Sequence, residues 1–323
     1  MKKVSERFMK ALIIDKVHDV LFQQFKLAGI DFDYLPKIEK TKFDKIIADY
    51  QILIIRSKFK ILKEEIDKGV HLKIIGRVGA GLENIDVEYA KTKGVVCLNS
   101  PEGNRDAVGE HAVGMLLNLL NKIPKAHREL REGKWDRESN WGTELSDKTV
   151  GIIGYGNMGG AFAKRISCFA KSVIAYDKHK TGFSDAYVEE ADMARVFNEA
   201  DILSLHVPLT KETRYLVDTY FLNKFKKPIV LINTARGECV HTGDLVKSIE
   251  AGRVTGACLD VLEYENSTFE SLFAVSTPEP LQYLLHSDKV ILTPHIAGWT
   301  DEAYYKLSKV MADKVINQTK ILA

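Results

Sequence analysis

The sequence predicts an α/β protein with two doubly wound parallel-sheet domains, and three observations lead there. Short apolar runs alternate with amphipathic or turn-rich segments from residue 11 to about residue 100. The alternation resumes at Thr149 and continues to an apolar run that begins at Val290. At the head of this second series, Thr149-Val-Gly-Ile-Ile-Gly154-Tyr-Gly156-Asn-Met-Gly159 places three glycines where an apolar run meets a helical pattern. Strands separated by helical stretches form parallel sheets covered on both faces, and 323 residues suffice for two separate cores.

In chain order, the first series predicts strands at residues 11–14, 31–34, 52–55, 72–78 and 95–98. It contains no complete GxGxxG, so its sheet is not expected to bind a dinucleotide. Two of its loops are chemically suggestive: Arg56, Ser57, Lys58 and Lys60 after the third strand, and Val78, Gly79, Ala80 and Gly81 after the fourth. Both lie at strand C-termini, where ligands collect in open α/β sheets, and a glycine-rich turn presents backbone N–H groups to an anion such as a carboxylate. A solvated basic turn and ordinary turn glycines are the plainer alternatives. The segment Pro101-Glu-Gly-Asn-Arg105 then opens a helix with Val108, Ala112, Met115, Leu116, Leu119 and Leu120 on one stripe, and the chain is expected to cross between domains near here. Beyond Pro124 a polar stretch with Trp135 and Trp141 has no clean period. Tryptophans in such an arm suit a partner subunit and the chain's own core equally.

In the glycine turn, Gly154 permits the turn, Gly156 lets backbone approach a pyrophosphate and Gly159 lets helix pack on strand, with the helix N-terminus facing phosphate charge. The next apolar run ends in Asp177, at roughly the 20-residue spacing of a ribose-binding acid. A carboxylate there bonds the adenosine 2′-hydroxyl and repels a 2′-phosphate, which favours NAD over NADP. Lys178, His179 and Lys180 just beyond would tolerate an extra phosphate. Further strands are expected at 173–176, 202–205, 229–233, 256–261 and 290–292. A last helix from Asp301 to about Gln318 carries Ala303, Leu307, Val310 and Met311 as a stripe and is expected to cross back to the first sheet.

Three polar residues follow predicted strands of the second series: Arg236, Glu265 and His295. Strand C-termini of one sheet share an edge, so the three are expected to converge. They suit hydride transfer at a 2-hydroxy or 2-oxo acid. A guanidinium clamps a carboxylate through two parallel hydrogen bonds; an imidazole removes or returns the hydroxyl proton; a neighbouring carboxylate orients the imidazole and favours its protonated form. Singly, each has a plainer explanation as a surface ion pair, a solvated loop acid or a turn residue.

Composition narrows the classes. The 46 basic and 44 acidic residues nearly balance, without a long basic block, which argues against a nucleic-acid or membrane surface. The apolar stretch after the charged N-terminus stops at Asp15, too short for a signal peptide, and no run reaches membrane-span length. Cys97, Cys168, Cys239 and Cys258 form no CxxC pair; they are expected to be reduced core residues of a cytoplasmic protein, with no metal site.

Taken in order, Gly79-Ala-Gly-Leu-Glu-Asn-Ile-Asp86, the GxGxxG with Asp177, His206-Val-Pro-Leu-Thr210, Asn233-Thr-Ala-Arg-Gly237, Leu259-Asp-Val261 and Thr293-Pro-His-Ile-Ala-Gly298 resemble the D-isomer-specific 2-hydroxyacid dehydrogenases, over residues 52 to 320. The resemblance implies two Rossmann-like or flavodoxin-like domains with the active site in the interdomain cleft. Residues 1–102 and 299–323 would form the substrate domain and 103–298 the NAD domain, with a homodimer arm at about 104–148. It also implies a catalytic set of Arg236, Glu265 and His295. The cofactor would meet Gly154, Gly156, Asn157, Met158 and Gly159 at the turn, and Asp177 beyond it. It would further meet His206, Val207, Pro208, Thr234, Ala235, Asp260 and Gly298, with Asp260 near the nicotinamide carboxamide. Arg56, Ser57, Lys58, Val78, Gly79 and Ala80 would bind substrate together with Arg236 and His295.

Within the family the motifs look most like the D-3-phosphoglycerate dehydrogenase type, which acts in serine biosynthesis; Arg56 and Lys58 are the candidate cations for a phosphate. The chain ends soon after the His295 motif, so an appended regulatory domain and serine feedback are not expected. Asn266 replaces the family's usual Pro after Glu265, and residues 266–288 are expected to form a polar, aromatic loop near the cleft. Trp299 either lines the site or anchors the last helix. The rival readings are a hydroxypyruvate, glyoxylate or D-lactate reductase and, in another class, a non-catalytic NAD(H)-sensing regulator.

Overall fold

A computed structural model describes residues 9–265 and 277–322. The chain divides into two compact units, Met1–Asn104 with Trp299–Ala323, and Arg105–Gly298.

In the first unit, β1 (Lys10–Ile13), β2 (Asp31–Tyr34), β3 (Ile52–Ile55), β4 (Ile74–Arg77) and β5 (Val96–Asn99) form a parallel sheet in the order β2-β1-β3-β4-β5. Helices α1 (Val20–Leu27), α2 (Lys40–Ile46), α3 (Lys63–Lys68) and α4 (Val87–Thr92) connect them. Alternate side chains of a strand point to opposite faces, and here both faces are covered. Ala11, Ile13, Ile52 and Ile54 pack in one core, Leu12, Leu53 and Ile55 in another. Unbroken apolar runs are therefore required, as doubly covered parallel strands show.

In the second unit, the long helix α5 (Arg105–Leu120) and α6 (Ile123–Arg131) precede seven parallel strands. These are β6 (Thr149–Ile153), β7 (Ser172–Tyr176), β8 (Glu189–Glu190), β9 (Ile202–Leu205), β10 (Ile229–Asn233), β11 (Val254–Leu259) and β12 (Val290–Leu292), with helices α7 (Asn157–Ile166), α8 (Met193–Glu199), α9 (Thr219–Leu222), α10 (Thr242–Glu250) and α11 (Glu279–His286) between them. The order is β12-β11-β10-β9-β6-β7-β8, so connections run one way from β6 and then return to its other side at β9. That reversal is the switch point at which open sheets bind ligands.

The last helix, α12 (Asp301–Leu322), lies on the first unit's sheet, with Leu307, Met311, Ala312 and Val315 in the same core as Ile13 and Ile54. A Cβ on Gly76 in β4 would come within 2.7 Å of Met311 Sδ, so the close approach of helix to sheet depends on that glycine. The helix extends four residues past the expected Gln318, and Val310 is only partly buried.

Three local expectations are corrected. The stretch after Pro124 is helical through α6, a helix that buries no residue and leaves Ile123 and Leu130 exposed. The Glu189–Glu190 strand is too short and too polar for any periodicity to mark it. Of the supposed loop 266–288, residues 266–276 lie outside the described residues, and Glu279–His286 is helix, its Leu281 and Leu284 buried three positions apart as a helical face requires.

Candidate active site

The glycine turn joins β6 to α7. Gly154 has φ +93°, and a Cβ there would come within 2.5 Å of the His206 carbonyl oxygen; a Cβ on Gly159 would fall 2.1 Å from the Gly154 carbonyl. Both positions are closed to side chains by backbone, which cannot rotate away. Beyond Gly156 there is open space, and it directly precedes α7, whose first-turn N–H groups Asn157, Met158 and Gly159 supply. Asp177 takes the Tyr155 N–H at 2.8 Å and the His179 N–H at 2.9 Å, one bond per oxygen, so the carboxylate retains capacity for hydroxyl donors. Of the cations beyond it, Lys178 pairs with Glu212 and Lys180 donates to the Tyr155 carbonyl at 2.7 Å.

Two buried polar atoms on the same unit lack partners among the described residues: His206 Nδ1 and Thr234 Oγ1. His206 is partly buried beside Phe162, its Nε2 2.9 Å from Ser204 Oγ, and desolvation of its ring pulls its pKa down to about 3. A neutral imidazole with an open nitrogen, an orphan hydroxyl, open space over Gly156 and an acid at the next strand end are what a dinucleotide's sugars and phosphates require. The residues fit NAD. Val207 and Pro208 continue the chain from His206 in a loop held by Thr213, whose hydroxyl donates to the Pro208 carbonyl at 2.6 Å.

The catalytic candidates follow three neighbouring strands, β10, β11 and β12. After β10, buried Asn233 accepts the Ala235 N–H at 3.0 Å and donates to the Arg236 carbonyl at 2.9 Å, which shapes the Thr234–Ala235 turn and sets Arg236. Arg236 Nη1 donates to the Ala235 carbonyl at 2.6 Å. Gly237 follows because a Cβ there would meet the Leu262 carbonyl at 2.0 Å.

After β11, Asp260 is 1% exposed and organises the loop after β12. Its carboxylate accepts the Thr293 hydroxyl at 2.6 Å and the N–H groups of Ile296 and Ala297 at 2.8 and 2.9 Å, while its carbonyl accepts the His295 N–H at 2.8 Å. These bonds hold His295 at φ +55°, a left-handed conformation that non-glycine residues rarely adopt and that clusters at functional sites. Gly298 continues directly from the anchored Ala297. Asp260 thus acts first as an anchor for the His295 loop, a role its strand-end position did not reveal.

Glu265 receives His295 Nδ1 at 2.7 Å on one oxygen and the Leu262 N–H at 2.5 Å on the other. The second bond fixes the carboxylate; the first commits Nδ1 and assigns proton exchange to Nε2. His111 on α5 is a further member that sequence reasoning missed. Its Nε2 lies 2.9 Å from Thr293 Oγ1 and 3.6 Å from Asp260. Since the Thr293 proton goes to Asp260, His111 donates. The signal was a polar residue three after Val108 and four before Met115, on the buried stripe.

The first unit's loops are equally well tied. Asp15 accepts the N–H groups of Arg56 and Lys58 at 2.6 and 3.3 Å. Ser57 lies between them, partly buried. Arg77 spans both loops, donating to the carbonyls of Arg56 at 3.1 Å and Gly81 at 2.9 Å. Lys58 Nζ bonds the Pro36 carbonyl. The Val78 and Gly79 N–H groups are taken by the carbonyls of Ile55 and Arg77, so of the three amides expected to meet substrate, Ala80 alone lacks an acceptor among the described residues.

Comparison with known proteins gives consistent results. Residues 113–297 match the model of the D-isomer specific 2-hydroxyacid dehydrogenase NAD binding domain. A hydroxypyruvate reductase from Thermotoga maritima is 38% identical over 284 residues, 88% of this chain and 90% of that protein. A D-3-phosphoglycerate dehydrogenase from Archaeoglobus fulgidus is 34% identical over 314 residues, 97% of this chain but 58% of that longer protein. The solved structure of D-lactate dehydrogenase from Aquifex aeolicus, complexed with NAD and lactic acid, matches at TM-score 0.80 and 26% identity, covering 96% of this chain and 95% of that one. With its switch-point glycine turn and the His295–Glu265 pair, the chain belongs to the D-isomer-specific 2-hydroxyacid dehydrogenases, NAD-dependent oxidoreductases of 2-hydroxy acids.

Proposed function

We propose that the protein interconverts a D-2-hydroxy acid and its 2-oxo acid, with D-3-phosphoglycerate as the substrate. The observation that carries the chemistry is the 2.7 Å contact of His295 Nδ1 with a carboxylate that is itself held by a backbone N–H. NAD supplies the two-electron hydride acceptor when bound at the Gly154–Gly159 turn. Arg236 clamps the substrate carboxylate through paired N–H groups. His295 Nε2 takes the hydroxyl proton as the C2–O bond becomes a carbonyl, and returns it in reduction. Glu265 keeps the ring in one tautomer and stabilises the imidazolium. Arg56 receives the phosphate, and the Ala80 N–H assists at the carboxylate.

The phosphorylated substrate is favoured by the Arg56 guanidinium, which has no hydrogen bond or ion pair among the described residues. A hydroxypyruvate reductase is the second reading, favoured because the Thermotoga maritima relative matches over 90% of its own length. A panel of 2-hydroxy and 2-oxo acids with NAD(H) and NADP(H), followed by nicotinamide absorbance, tests both. Turnover of phosphoglycerate at least as efficient as of glycerate supports the first; exclusive turnover of hydroxypyruvate or glyoxylate sinks it, and NADH binding without turnover of any acid would favour a sensor. The arm in which Trp135 and Trp141 are 81% and 83% exposed and Ile123 and Leu130 are also exposed fits a homodimer contact, which sedimentation tests. The unpaired cysteines suit a cytoplasmic location.

A further inference from the structure

Arginines near a protein surface are commonly met by carboxylates, and this chain has 44 acidic residues. Arg56 is met instead by two aromatic rings. Its guanidinium carbon lies 5.5 Å from the Trp299 ring centroid and 5.8 Å from that of Tyr304, with no hydrogen bond or ion pair among the described residues. Asp15, in the segment after β1, is occupied by the backbone N–H groups of Arg56 and Lys58, and Lys58 is diverted to the Pro36 carbonyl.

Tyr304 is fixed in the first turn of α12, while Trp299, two residues before that helix, is 72% exposed and meets Arg56 from the solvent side. Thr300 caps that helix, its hydroxyl accepting the Ala303 N–H at 3.0 Å and its carbonyl the Tyr304 N–H at 2.9 Å. His18 braces Tyr304 edge-on at 5.5 Å and is itself held by its N–H to Ser308 Oγ at 3.0 Å. Contact with a π system orients a guanidinium without using its N–H donors or cancelling its charge. A carboxylate partner would do both.

We infer that Trp299 and Tyr304 are positioning residues that hold the Arg56 guanidinium uncompensated for a second, non-reacting oxyanion of the substrate, and so determine specificity for doubly anionic 2-hydroxy acids. This rests on the assignment of Arg56 to the substrate, and it gives Trp299, which precedes the Thr300 cap of the last helix, a part in holding that cation. The shared chemistry is a terminal oxyanion. Phosphate and carboxylate are separated by using D-3-phosphoglycerate against D-glycerate, and D-malate against D-2-hydroxybutyrate.

The test is steady-state kinetics of the full chain with NAD on these two substrate pairs. Trp299→Ala and Tyr304→Ala should each lower kcat/KM for the doubly anionic member about three- to tenfold through KM, with kcat and the singly anionic member within about twofold; Trp299→Phe should restore most of the loss. Arg56→Lys keeps the charge but not the flat guanidinium, and should lose about tenfold on the same member. Thermal unfolding midpoints near the parent's establish that the variants fold. Equal losses on both members of a pair, a kcat effect without a KM effect, or an Arg56→Lys variant as selective as the parent overturns the inference. Arg56→Ala separates the two levels. If it leaves the ratio within each pair unchanged, the assignment of Arg56 to the substrate fails. If it collapses the ratio while both aromatic variants keep it, only the role of the rings fails.

Discussion

Both units place glycines just after a sheet strand, yet the two turns are built differently. After β6, Gly154 and Gly159 face backbone carbonyls at 2.5 and 2.1 Å, and α7 begins at once. After β4, a Cβ on Gly79 would meet the end of the Arg77 side chain at 2.8 Å, the φ is not left-handed, and the next helix starts only at Val87. A turn fixed by backbone and followed by a helix N-terminus suits phosphates; a turn pinned by a side chain, with a single uncommitted amide, lacks that array of N–H groups, and it is the one proposed to assist at the substrate carboxylate. Glycine content alone does not separate these uses. What surrounds the Cβ position does.

The contrast predicts that changes in the second unit strike turnover and cofactor, and changes in the first strike substrate KM. The largest effect is expected for His295→Ala, which should lower kcat by about 10²- to 10⁴-fold while NADH affinity, read by fluorescence titration, stays within about twofold; an unchanged rate would end the acid/base assignment. Next, Gly159→Ala must displace the Gly154 carbonyl, and a strain of about 1–3 kcal/mol should weaken NADH binding roughly tenfold or more. Normal cofactor affinity in that variant would break the comparison. Gly79→Ala asks only that Arg77 shift, so substrate KM should rise no more than about threefold, with NADH affinity unaltered.

The smallest effect concerns acid stability. His206 is held neutral by burial, its pKa pulled down to about 3 against roughly 6.5 in an unfolded chain. Between these values unfolding takes up one proton. Its contribution is therefore complete above about pH 6.5 and declines as the pH falls toward 3, by no more than about 1.4 kcal/mol per unit. Urea unfolding at pH 7, 5 and 4 should show a shallower decline for His206→Asn; identical slopes would count against a buried neutral imidazole.

Much of the fold was legible because its signals are local. Doubly covered strands such as Ile52–Ile55 must be apolar throughout, and a strand-to-helix turn that meets a phosphate must be glycine-rich, so both stand out in a short window. Helix α6 and the Glu189–Glu190 strand were not legible, because neither buries an apolar face. The catalytic candidates were found as residue types at strand ends, but Asn233, Thr293 and His111 were missed as supports. Their partners lie in the turn after β10, in the carboxylate of Asp260 and on the loop after β12, and no spacing rule in the chain announces such contacts.

By itself, then, the sequence indicated two parallel sheets and a dinucleotide turn followed by Asp177, and singled out Arg236, Glu265 and His295 as candidates for the chemistry. Tertiary structure decided the rest. The sheet order sets β10, β11 and β12 side by side and brings Glu265 to His295. Asp260 imposes a left-handed turn on His295. Asp15 and Pro36 occupy the Arg56–Lys58 loop so that Arg56 is left to the rings of Trp299 and Tyr304. The physical reason is one of range: periodicity and turn chemistry act over a few residues, whereas a hydrogen bond or a stacked ring selects whichever partner the packed sheet brings within reach.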